Sequence, residues 1–133
     1  MRLRLGGPSS GSAGLAAALM LAIAAPGAVA DSVQIMVQDS PLAGSQFHEA
    51  GTVWPQLRVG DRLTLVREPD NRHDRKAVRV DWNGHVLGYL PRAENHAVAA
   101  ALDRGERLEA RITALREDRD PWRRIAFAVY LTL

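Results

Sequence analysis

Apolar and polar residues alternate from Ser32 to Val37, with Val33, Ile35 and Val37 on one side and Ser32, Gln34 and Met36 on the other. That period of two predicts a half-buried strand, which Pro41 ends. Residues 44–51 read as a loop or an irregular strand, and Trp54-Pro55 interrupts regular pairing because a proline removes a ladder donor. After the Gly60-Asp61 turn, Leu63 and Leu65 face one way while Arg62, Thr64 and Val66 face the other, which predicts a second strand over 62–67. Pro69, Asp70 and Asn71 stop it, and a polar loop runs to Asp74. Val78, Val80 and Trp82 then share a face, Asn83-Gly84 is a strong two-residue hairpin signal, and 85–90 returns as the partner strand. Pro91 opens a predicted helix over 92–104, with Ala97, Val98, Ala101 and Leu102 as its apolar stripe and Gly105 as its stop. Two further alternating runs, Leu108 to Ala114 and Ile125 to Leu131, flank the 117–121 turn and predict a closing hairpin.

Six strands and one main helix make the chain mainly β. The expected architecture is a small OB-like or SH3-like β-barrel of about six strands, because closure removes exposed edges. Hydrophobic residues at 47% and charged residues at 24% are ordinary globular usage, and 133 residues suit one domain with a modest core.

The first thirty residues read differently. Arg2 and Arg4 form a short positive region, 6–14 is a Gly/Ser-rich spacer, 15–25 is an uncharged apolar run, and Ala28-Val29-Ala30 supplies an A-x-A cleavage signature. This pattern predicts a secretory signal peptide over 1–30, cleaved after Ala30, with 31–133 as a single domain. The apolar run is short for a membrane span, so no stable membrane insertion is expected after cleavage, and the product is expected to be periplasmic or secreted. The leader also explains the basic balance. Arg2 and Arg4 are the only charges before Asp31, so the 17 basic residues fall to 15 beyond them, against 15 acidic ones. A neutral domain lacks the broad field of a strong non-specific nucleic-acid binder, and any such role must be local.

Little in the chain suggests catalysis. Zero cysteines remove thiol nucleophiles, zinc ribbons and iron-sulfur sites. Lys76 is the only lysine and no phosphate-cradling loop contains it, while Ser32, Ser40 and Ser45 are the only serines after the leader and none sits in a nucleophile motif. His48, His73, His85 and His96 show no ligand spacing, so no metal and no cofactor are expected. The feature with most chemistry is the polar turn of residues 68–74, E-P-D-N-R-H-D, followed by Arg75, Lys76 and Arg79. Its Asn and Asp either bond the turn backbone or face a ligand. Phe47, Trp54 and Tyr89 offer stacking faces, although Trp54 and Trp82 serve equally well as core.

The order of these features resembles the HIRAN domain family, across residues 41–115. The resemblance rests on Leu42-Ala43-Gly44 leading to Phe47-His48, on Leu57, Gly60, Asp61, Leu63 and Leu65, and on Arg67-Glu68-Pro69 with Asn71, His73 and Asp74. It continues through Ala77-Val78 and Val80 to Leu87-Gly88-Tyr89-Leu90-Pro91. The resemblance implies an OB-like barrel that grips the 3′-hydroxyl end of single-stranded DNA in a pocket. Carried over by position, that pocket is lined by Gln46, Phe47 and His48 from the first loop and by Asn71, His73 and Asp74 from the polar turn, and is completed by Tyr89 and Arg92. The implied roles are stacking by Phe47 or Tyr89, acceptance of a sugar hydroxyl by Asp74, and phosphate contact by Arg92 at the helix start.

DNA-binding relatives carry an arginine and two tyrosines where this chain has Gln46, Phe47 and His48, and often a proline where it has Arg72. Two expectations follow. One is a non-catalytic nucleic-acid-binding module that takes single-stranded DNA ends. The other is an exported barrel repurposed to bind an envelope ligand such as a peptide, a glycan or a protein.

Overall fold

A computed structural model describes residues 32–133, and the predicted leader and its cleavage site lie outside them. Six strands form one antiparallel sheet: β1 (Gln34–Pro41), β2 (Arg62–Arg67), β3 (Val78–Trp82), β4 (His85–Tyr89), β5 (Leu108–Leu115) and β6 (Ile125–Thr132), in the spatial order β1-β6-β5-β2-β3-β4. The helices are α1 (Ala50–Val53) and α2 (His96–Asp103), with α2 the main one. The domain is therefore mainly β with one main helix, as the periodicity predicts.

The β3–β4 hairpin forms as read from Asn83-Gly84. Both turn residues have positive φ, 43° and 83°, the geometry whose twist suits a two-residue hairpin. Strand β2 serves two neighbours, pairing β5 through Arg62 and Leu63 and β3 from Thr64 to Arg67, so the sheet curls at its middle. The curl does not end in a closed barrel. After β1, Leu42 N–H still bonds Ile125 O on β6 (3.0 Å), and Ala43 then exchanges two 2.9 Å bonds with Tyr89 on β4. The sheet's two edges are thus joined at one bridge instead of along a ladder.

Three local expectations are corrected. Strand β1 ends at Pro41 as predicted, but Val33 before it and Ile35 and Val37 within it are 57%, 47% and 50% exposed instead of half-buried. The reason is that β1 pairs only with β6, while burial begins at Ser40 and Leu42. Residues 44–51 are neither plain loop nor strand. Gly44, at φ 72°, redirects the chain into a 3-10 turn (Ser45–Phe47), followed by α1 and a second 3-10 turn (Trp54–Gln56), in which Pro55 needs no donor. Finally, the predicted helix over 92–104 is two elements, a 3-10 turn (Arg92–Glu94) and then α2, with Asn95 buried at the joint. Its end is as expected. Gly105 at φ 82° lets its N–H bond Leu102 O and the Glu106 N–H bond Ala101 O, the paired bonds that terminate a helix on a left-handed residue.

The core lies inside the curl. Phe127, Ile112, Val78, Val80 and Leu87 are at most 1% exposed, and α2 covers them with Val98 and Ala99. Each large side chain buried this way contributes about 1.5–3 kcal/mol. Trp82 belongs to this core and donates its indole N–H to Asp61 Oδ2 at 3.0 Å, while Trp54 packs half-buried on its flank. Trp82 is therefore core and not a stacking face.

Candidate functional site

The polar turn is built by its own side chains. Asn71 Oδ1 accepts the backbone N–H groups of His73 (2.9 Å) and Asp74 (3.2 Å), and its amide donates to Glu68 Oε1 (3.0 Å). Asn71 thereby shapes the turn, with one amide N–H left over. Asp74 caps the next turn by accepting Lys76 N–H through Oδ1 (2.9 Å), and its Oδ2 accepts the buried Asn95 amide at 2.7 Å. Asn95 therefore ties the polar turn to the start of α2 and fixes the orientation of the Asp74 carboxylate.

Glu68 is the hub beneath. Tyr89 donates its hydroxyl to Glu68 Oε1 (2.8 Å), and Arg79 reaches Glu68 Oε2 (3.1 Å) while forking onto Asp81 at 2.8 and 2.9 Å. Burial works to raise the Glu68 carboxyl, but hydrogen bonds from Asn71, Tyr89 and Arg79, with the Arg79 charge, outweigh it and hold the group below its ordinary range. Burial, the Glu68 hydrogen bond and the Glu68 charge push the Tyr89 phenol up, so it stays a neutral donor at pH 7. The Asp81 hydrogen bonds, ahead of the other contributions, raise the Arg79 guanidinium further. A carboxyl lowered on folding contributes stability above its unfolded pKa that disappears as pH falls through the folded value. Urea midpoints should therefore drop between pH 6 and pH 3, and Glu68→Gln should flatten part of that drop. An unchanged profile in the variant would remove Glu68 from this role.

The turn, β4 and the loop after β1 enclose a cavity of about 390 Å³. It brings together His48, Asn71, His73, Asp74, Tyr89 and Arg92, with Ala43, Gly44, Ala77 and Leu90 as the apolar remainder. The His48 ring lies 5.5 Å from the Tyr89 ring at a tilt of 54°. Glu49 clamps the loop that carries it, bonding Val86 through both its backbone N–H and its side chain at 2.9 Å. Arg92 is exposed at the cavity wall and makes no ion pair or hydrogen bond among the described residues. It sits on the 3-10 turn and not at the start of α2, so the expected helix-terminus contribution to phosphate binding is not available to it.

Two expected residues fall outside. Gln46 lines a neighbouring cavity, and Phe47 is 77% exposed on the 3-10 turn and lines neither. Arg72 lies away from the cleft, lining another hollow with Pro69, Asp70, Asn71 and Arg75. The reading of the chain also missed two residues that organise the site. Glu68 stood in the polar block without a role, and Asn95 stood inside an apparent helix, where nothing local marks it as a partner of Asp74.

Among the described residues no group of three or more His, Asp or Glu is placed to hold a metal, and no helix is long and apolar enough to cross a membrane. A curled antiparallel sheet with a polar cleft at its single edge-to-edge bridge defines a small OB-like module. Residues 35–133 match the HIRAN domain, and the chain belongs to that family. It is 38% identical over 80 residues to a Fanconi-associated nuclease 1 homolog of Oryza sativa subsp. japonica, a match covering 57% of this chain but only 8% of that protein. Among solved structures, a protein from Lactobacillus plantarum superimposes with a TM-score of 0.66 at 25% identity, covering 76% of this chain and 97% of the other. The HIRAN domain of human HLTF superimposes with a TM-score of 0.56 at 18% identity, over 76% of this chain and 77% of that one, which is a likeness of fold.

Proposed function

We propose that this protein is a non-catalytic nucleic-acid-binding module whose cleft takes the 3′-hydroxyl end of a single strand. HIRAN domains are nucleic-acid-binding modules, and family membership supports the broad class. The observation that carries the finer reading is the pairing, in one cleft, of an oriented carboxylate with a free cation. Asp74 is held by Asn95 and retains lone pairs for a sugar hydroxyl, while Arg92 has no competing partner for a phosphate. His48 and Tyr89 form the wall against which a base or sugar packs, and His73 lies on the opposite turn. The Tyr89 hydroxyl is committed to Glu68, so its contribution is its ring. Gln46 and Phe47 contribute only by moving toward the cleft.

With a formally neutral domain and one free arginine in the cleft, affinity is modest and its salt dependence shallow. Fluorescence anisotropy of a single-stranded oligonucleotide at 50 and 200 mM salt tests this. Binding that weakens with salt and falls several-fold in Arg92→Ala supports the reading, and a folded protein that binds no oligonucleotide at either salt refutes it. We place this activity outside the cytoplasm, on the signal-peptide pattern of residues 1–30.

A second reading is favoured by the exposed apolar residues Ile35, Met36 and Val37 on the edge strand β1, with Val33 just before it. Such an edge suits strand addition by a peptide or an envelope protein. Under that reading, binding survives cleft substitutions and is lost on placing a lysine at Ile35.

A further inference from the structure

The two edges of the sheet are finished differently. Strand β4 is closed by its own chain: Glu49 satisfies both the N–H and the carbonyl of Val86, and Ala43 does the same for Tyr89. Strand β1 has β6 on one side and, among the described residues, no strand on the other. Val33 O accepts the Leu133 N–H (2.9 Å), so Val33 turns its backbone groups toward β6, and Ile35, two residues on, does likewise. By alternation the N–H and C=O groups of Gln34 and Met36 point away from the sheet. Natural edges are guarded by charges, prolines or a covering segment, and Ser32 to Gln38 contain no charge and no proline. A bulge between Met36 and Gln38 ends the regular edge at Val37.

The order of residues along this edge makes it self-complementary. Val33-Gln34-Ile35-Met36-Val37 carries a valine at each end and an isoleucine at its centre. Ile35 pairs with Leu131, and Leu131 and Val37 line one cavity of about 270 Å³ between β1 and α2, so Ile35 and Val37 share a face. Val33, two residues before Ile35, lies on that face as well. When the strand is laid antiparallel on itself about a two-fold axis at Ile35, Val33 falls opposite Val37 of the second copy and Ile35 falls opposite Ile35. Gln34 falls opposite Met36, and these are the residues whose outward backbone groups can exchange N–H···O bonds in both directions. The valine arriving beside Val37 comes to the mouth of the cavity that Val37 lines. With no charge from Ser32 to Gln38, no like charges meet within this stretch.

We propose that β1 pairs with β1 of a second copy of this chain, antiparallel and centred on Ile35, so that two domains share one continuous sheet through an isologous contact. The inference rests on the edge alone and stands whether or not the cleft takes a 3′ end. One short strand from each partner buries less than the roughly 1,200 Å² of a stable interface, so the dimer is expected to form in the micromolar range.

Sedimentation velocity of the full chain from about 5 to about 500 µM tests the association, with a monomer giving way to a dimer across that range. Ile35→Lys sets two ammonium groups opposite each other and is expected to weaken the dimer at least about ten-fold. Its Tm should stay that of the parent, because Ile35 is 47% exposed. Cross-linking tests the register, since the chain has no cysteine of its own. Ile35 faces itself as a non-hydrogen-bonded pair with Cα atoms about 4.5 Å apart, within disulfide reach, so Ile35→Cys is expected to give a covalent dimer on mild oxidation. Val33→Cys is expected to stay monomeric alone and to cross-link when mixed with Val37→Cys. A protein that is monomeric at every concentration overturns the inference and leaves the edge to a foreign peptide. Association that Ile35→Lys does not weaken overturns β1 as the contact, and Val33→Cys cross-linking to itself as readily as Ile35→Cys overturns the pairing about Ile35.

Discussion

Gly88→Ala should destabilise the domain by about 3 kcal/mol, a large share of the stability of a domain this size. A β-carbon at Gly88 would lie 2.4 Å from the carbonyl oxygen of Ala43 and 3.1 Å from Leu42 Cγ. The obstacle is backbone, which cannot rotate away as a side chain would. The clash falls on the bridge where Ala43 and Tyr89 exchange hydrogen bonds, which joins the sheet's two edges. Relief requires Ala43 to withdraw, and with it Gly44 and the loop carrying His48, so the cleft loses one wall as the fold loses stability. Gly51→Ala is the natural control. Nothing lies within 4 Å of its added carbon and the residue is helical, so it should stabilise by about 0.5–1 kcal/mol. Urea denaturation of the two variants checks both values. A Gly88→Ala protein as stable as the parent would mean that the bridge does not hold the edges together.

Asp74→Ala should have the largest effect on binding. The substitution removes the acceptor proposed for the sugar hydroxyl, and a charged hydrogen bond of that kind is worth about 2 kcal/mol, close to thirty-fold in Kd. It also strands the Asn95 amide, 3% exposed, without the 2.7 Å bond that satisfies it, which adds about 1–3 kcal/mol of destabilisation. The two effects separate by choice of probe. A 3′-phosphate oligonucleotide offers no hydroxyl for Asp74 to accept, so the variant should lose affinity for the hydroxyl end and little for the phosphate end. Equal losses for both ends would show that Asp74 acts only by holding the turn.

These predictions rest on contacts that the sequence revealed unevenly. The β3–β4 hairpin was readable because alternation and Asn83-Gly84 are both local and agree. The polar turn was readable as a self-contained unit for the same reason: Asn71, His73 and Asp74 lie within four residues, and the hydrogen bonds that shape them are made inside that stretch. Strand β1 was read with the wrong exposure, since alternation shows that a strand has two faces and does not show whether anything covers either. The turns between Gly44 and Leu57 carry three or four residues each, too few to repeat a helical period. The helix over 92–104 was joined across Asn95 because its break depends on Asp74, 21 residues earlier. Glu68 and Tyr89 are the same distance apart. Residues whose role is to connect distant segments leave no local trace, and here they are the ones that orient the cleft. Gln46 and Phe47 stand outside the cleft for a related reason. The 3-10 turn after Gly44 turns Gln46 toward the neighbouring cavity and leaves Phe47 exposed, and only His48 of the three reaches the cleft.

The central claim, that the cleft recognises a free 3′ end, is tested most directly by titrating the protein with two otherwise identical single-stranded oligonucleotides, one ending in a 3′-hydroxyl and one in a 3′-phosphate, while following backbone amide NMR signals. The account predicts tighter binding of the hydroxyl end, with the signals of Gly44, His48, His73, Asp74, Tyr89 and Arg92 moving together. Equal binding of the two ends, or shifts confined to β1 with the cleft silent, would contradict it.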